Sequence, residues 1–155
     1  MKPAAAIVAL LLTAAAPPNA HRLRVSAIQA RLFDTNTGSL SPNVLDAKGY
    51  FGNWNTIIGG GSVSGPADDV LIVAVVDQDR PAGQQANVGL PLRLTATRKG
   101  KLLASRTVKD VLIPEKGPAY TGFWLNDVGC AGSVEVTAQI GSSRKTATLD
   151  LNCGE

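Results

Sequence analysis

Histidine occurs once in this chain, at His21, and cysteine twice, at Cys130 and Cys153. Those counts decide which chemistry is open. A Ser-His-Asp or Cys-His nucleophile needs an imidazole beside it, and one histidine at the start of the chain is a poor supply. A catalytic zinc held by two or three histidines is ruled out. Paired carboxylates remain formally available, since Asp34, Asp68, Asp69, Asp77 and Asp79 are all present, but their spacing selects no acid–base pair. Asp34 and Asn36 place oxygens in a turn that loosely follows a calcium loop, yet Leu45 stands where that loop needs its closing acid. The expectation is a protein without catalytic residues or a required cofactor.

His21 has a second possible use. Lys2 followed by an apolar stretch over 4–16 and then Pro17, Pro18, Asn19 and Ala20 has the three parts of a secretory signal. Residues 1–20 are therefore expected to be a signal peptide, and 21–155 one exported domain of the periplasm or the extracellular space. Cleavage after Ala20 would make His21 the new N-terminus, with cleavage after Ala15 as the competitor. A terminal amine and an imidazole on one residue can chelate Cu(II), which takes nitrogen ligands in a tetragonal site. That start is similar to the start of copper-dependent polysaccharide monooxygenases and of periplasmic copper carriers. The resemblance covers this one residue and implies, as an alternative function, copper binding or handling at His21. This chain has no second histidine to complete such a site.

The aromatic residues are few and clustered. Of seven, Tyr50, Phe51 and Trp54 fall within five positions, flanked by Asn53 and Asn55. Apolar ring faces beside amide edges suit a carbohydrate or a peptide. These five residues are the candidate binding site. They lie in an irregular stretch over 34–68 that includes Gly59-Gly60-Gly61, and long connections of this kind are often functional. The competing expectation is that Phe51 and Trp54 fold back onto the core.

The elements that must position these groups are strands. Val134, Val136, Ala138 and Ile140 alternate with Glu135, Thr137 and Gln139; Ala147, Leu149 and Leu151 alternate with Thr146, Thr148 and Asp150. A period of two on both sides of Gly141-Ser142 marks a hairpin with one buried face. A two-residue loop pairs Val136 with Ala147 and sets Cys130 opposite Cys153, within reach of a disulfide. A four-residue loop pairs Val136 with Leu149 and puts the cysteines on a diagonal, which a bulge at Gly132 would correct. Both registers keep apolar on apolar. A Cys130–Cys153 disulfide is expected in an exported chain.

Upstream, residues 21–33 read as a strand with a bulge after Ala27, where the apolar parity switches. Its arginines, Arg24 and Arg31 among them, fall on the outward side. The run over 70–76 is apolar at every position and reads as a central strand buried on both sides, or nearly so. Leu90, Leu92, Leu94 and Ala96 alternate up to Lys99-Gly100, and 102–113 returns. Residues 120–125 form a short aromatic strand with Phe123 and Trp124 on opposite faces. No amphipathic helix follows the signal.

Seven or eight short strands between Gly, Pro and Asn turns predict an all-β sandwich. The strand order and the Asp127-Val-Gly-Cys130 run resemble exported bacterial immunoglobulin-like or fibronectin-type-III-like domains over most of 22–153. No Tyr stands two residues before Cys130, and Trp124 precedes both cysteines. The resemblance implies a binding domain with a protein or glycan partner, or a purely structural accessory domain. The net charge of +3 is too balanced to indicate a nucleic-acid partner or an anionic membrane, and no run after the signal is long enough for a transmembrane helix.

Overall fold

The computed structural model describes residues 23–46, 67, 69–79, 86–87, 89–129 and 131–151. These form two four-stranded antiparallel sheets, as expected of a β-sandwich. The first has the order β2-β1-β3-β8, from β1 (Leu23–Asp34), β2 (Ser39–Leu40), β3 (Val70–Gln78) and β8 (Ala119–Leu125). The second has the order β10-β9-β5-β6, from β5 (Leu92–Arg98), β6 (Lys101–Val108), β9 (Gly132–Ile140) and β10 (Ser143–Leu151). A minor pair joins β4 (Ala86–Asn87) to β7 (Leu112–Ile113). The described residues thus hold ten strands against the seven or eight expected. Three of the ten, β2, β4 and β7, are two residues long.

Alternation is the cause of the fold. Leu32, Ile72, Val76, Phe123 and Leu125 point inward from the first sheet. Leu92, Leu94, Val134, Val136, Ile140, Leu149 and Leu151 point inward from the second, and all belong to one buried cluster. Each such aliphatic side chain contributes about 1.5–3 kcal/mol on leaving water. Among the described residues no helix is long and apolar enough to cross a membrane.

The β9–β10 hairpin adopts the two-residue-loop register: Ile140 faces Ser143, Val136 faces Ala147 and Val134 faces Leu149. Gly141 has φ +54°, the left-handed conformation that a tight hairpin turn demands. The described ladder ends at Gly132 and Leu151, and Cys130 and Cys153 lie outside the described residues.

Two expectations change, at β1 and at the return strand, while β3 is nearly buried on both sides as expected. The β1 bulge falls at Ser26, between Val25 and Ala27, so Ala27 faces outward opposite Val75. β3 is central in its sheet, with Leu71 and Val73 on its outer side half-buried. The return strand after Lys99-Gly100 ends at Val108, and Leu112–Ile113 pairs with β4 instead. Within the stretch read as irregular, the part up to Asp46 is built: β2 pairs back onto Phe33 and Asp34, and Val44–Asp46 forms a 3-10 turn. Asp34 is buried, and its Oδ1 accepts the N–H groups of Asn36 (2.9 Å) and Thr37 (3.3 Å). That is the Asx-turn chemistry of a loop start.

The outer edge of β1 is finished by side chains. Asn43 Oδ1 accepts from Ala30 N (2.8 Å), Ser41 Oγ from Leu32 N (2.9 Å) and Ser143 Oγ from Val25 N (3.0 Å). Lys145 Nζ donates to Ser26 O (2.6 Å). An exposed strand edge would otherwise offer these groups to another chain.

Candidate functional site

Every site residue expected from the sequence (His21, Tyr50, Phe51, Asn53, Trp54, Asn55, Cys130 and Cys153) lies outside the described residues. Among the described residues no group of three or more His, Cys, Asp or Glu side chains is placed to hold a metal ion. What the described residues do contain is an aromatic, apolar surface on the outside of the first sheet.

It is built by register. On β8, Phe123 and Leu125 point into the core, so Tyr120, Gly122 and Trp124 point out. They pair with Val75, Val73 and Leu71 of β3 in that order. These in turn pair with Ala27, Gln29 and Arg31 of β1. Phe33 follows on the same side of β1 and pairs with Leu40 of β2. The face therefore runs Trp124–Leu71–Arg31 in one row, Gly122–Val73–Gln29 in the next and Tyr120–Val75–Ala27 in the third.

Two rings dominate it. Trp124 is 44% exposed and Tyr120 63%, and four strand residues separate them by about 13 Å along β8. Gly122 stands between. A side chain there would meet the carbonyl oxygen of Ile72 at 2.8 Å, Leu71 Cδ1 at 3.3 Å and Val73 Cγ2 at 3.5 Å, so the close approach of β3 requires glycine, and β3 side chains pack over it between the rings. Phe33 holds Trp124 edge-on, with ring centroids 5.9 Å apart and planes at 87°, the arrangement that aromatic quadrupoles favour. Arg106 of β6 donates to the Gly122 carbonyl from the second sheet, tying the β8 edge. Arg31 lies along the face, with Nη1 at 3.4 Å from Ser41 O and Nη2 at 3.5 Å from Gln29 Oε1.

This surface offers ring faces, aliphatic ground between them and a polar margin at Gln29 and Arg31. It can stack and shed water against an apolar or CH-rich ligand. It contains no nucleophile and base pair. The sequence held part of the signal: Tyr120 and Trp124 share a parity opposite to Phe123. Phe33, Leu71 and Val73 join them only through strand pairing.

No protein-family model matches the chain, and no curated protein matches it.

Proposed function

We infer that the chain is a non-enzymatic, exported β-sandwich domain of the immunoglobulin-like or fibronectin-type-III-like kind. In this reading residues 1–20 are its signal peptide, and it binds a protein or glycan partner outside the cytoplasm. The observation that supports this is the half-exposed Trp124, braced by Phe33 and sharing one outer face with the exposed Tyr120. A sandwich with no need to bind has no use for two large rings on a solvated face. The scarcity of histidine supports the non-enzymatic half of the reading.

The test uses a Trp54→Phe variant, which leaves Trp124 as the sole tryptophan. Its emission is expected to be quenched by iodide in the free protein and shielded once a partner is bound. Soluble glycans on an array, and envelope proteins captured by a photo-crosslinker at position 120, are the two partner sets. Trp124→Ala, which removes the reporter, should abolish the array binding and the capture. Iodide-inaccessible Trp124, or binding unaffected by Trp124→Ala, would remove this face from the reading.

A further inference from the structure

Charge is distributed unevenly along the chain. Seven of the fifteen basic residues and none of the twelve acidic ones fall within 80–109. The rest of the chain carries eight basic against twelve acidic residues. The β5–β6 hairpin concentrates the excess at its tip, as Arg98-Lys99-Gly100-Lys101, and all four residues are exposed. None of the three cations has an ion-pair partner among the described residues. The first acidic residue in register is Glu135, opposite Thr97, behind the tip.

Two further features separate this tip from an ordinary solvated turn. Both central turn residues have positive φ, Lys99 at 49° and Gly100 at 78°. A two-residue hairpin turn of that shape favours Asn-Gly or Gly-Gly, and a long side chain there is strained. The chain nevertheless places a cation at this point. The second feature is a bulge directly after the turn: Ala96 pairs with Ala104 and Thr97 with Leu102, leaving Leu103 as the extra residue. In a regular strand one of two consecutive leucines would point toward the opposite sheet. The bulge re-aims them, and both are in solvent, Leu102 at 55% and Leu103 at 41% exposure.

Three exposed cations at a hairpin tip, next to two consecutive exposed leucines, match one kind of surface, an anionic lipid bilayer. Lys and Arg meet the headgroup charge, and the leucines enter the boundary with the acyl chains. We propose that the β5–β6 hairpin docks this protein peripherally on anionic membrane through Arg98, Lys99, Lys101, Leu102 and Leu103. The charge complementarity carries the proposal; it uses the second sheet and is independent of the aromatic face of the first.

The experiment is co-sedimentation of the full chain with vesicles of phosphatidylcholine alone, or of phosphatidylcholine mixed with phosphatidylglycerol. Binding is expected only to the mixed vesicles and should fall as salt rises. Arg98→Gln/Lys99→Asn/Lys101→Gln should weaken it roughly a hundredfold, while Lys99→Asn suits the turn and keeps the fold. Leu102→Ser/Leu103→Ser should weaken vesicle binding at least about tenfold, and leave binding to soluble dextran sulfate unchanged. Equal binding to both vesicle types would overturn the proposal. So would vesicle binding indifferent to the leucine pair, which would make the tip a site for soluble polyanions.

Discussion

The two outer faces of the sandwich have opposite chemistry over nearly identical architecture. On the second sheet, cross-strand rows read Arg144, Gln139, Arg93 and Thr107, then Thr146, Thr137, Thr95 and Ser105. Thr137 and Thr146 share a hydrogen bond of 3.0 Å. On the first sheet the corresponding rows read Trp124, Leu71 and Arg31, then Gly122, Val73 and Gln29, then Tyr120, Val75 and Ala27. Both sheets bury aliphatic residues on their inner faces, so folding needs nothing more from either outside. The threonine-rich face is what an antiparallel sheet shows to water. The aromatic face departs from that rule, with the rings of Trp124 and Tyr120 in solvent.

Substitutions can break or sharpen this contrast. The largest effect belongs to the shared interior: Leu94→Ala should cost about 2–5 kcal/mol, read as a lower urea midpoint, and should loosen both sheets together. Next is the clamp expected on the second sheet alone. Native intact mass should show no alkylatable thiol, and reducing Cys130–Cys153 should cost roughly 3 kcal/mol. Two free thiols in the native protein would refute the pairing. Gly122→Ala should destabilise by about 1–3 kcal/mol through overpacking, because the added carbon meets the Ile72 carbonyl. Glycine-to-alanine changes in unhindered strands usually move stability the other way.

Smaller effects separate covered from open surface. In the Trp54→Phe background, Phe33→Ala should lose about 0.5–1.5 kcal/mol of ring contact and shift Trp124 emission to the red. Tyr120→Thr/Trp124→Thr would give the first sheet the outside of the second. That pair is expected to lose the Phe33–Trp124 contact, about 0.5–1.5 kcal/mol, and no more than about 0.5 kcal/mol at Tyr120, while abolishing partner binding. A loss several times larger would mean that the two rings belong to a core.

Legibility in the sequence followed the period-two signal. β9, β10 and β5 each carry clean alternation, and the structure places them as read. The hairpin register was open because Val136 packs equally well against Ala147 or Leu149; turn conformation at Gly141 decides it. The end of β6 was misread because Leu112 and Ile113 continue the apolar pattern, although their pairing partner is β4. The apolar run of β3 announced a central strand, but apolar residues at every position cannot say which side remains uncovered. The aromatic surface was half visible in β8. Its other half, Phe33 and Leu71, comes from strands 38 or more positions apart, and only register unites them with Trp124. The hairpin tip was hidden for a different reason: a chain-wide charge balance averages away a local excess.

The bonds that finish the edge of β1 have a consequence in time. Val25 N is satisfied by Ser143, 118 positions later, and Ser26 O by Lys145, 119 positions later. The first strand to be synthesised therefore waits for the last. Contacts of such long sequence separation make folding slow, and the chain cannot close its sandwich until nearly all of it has been made.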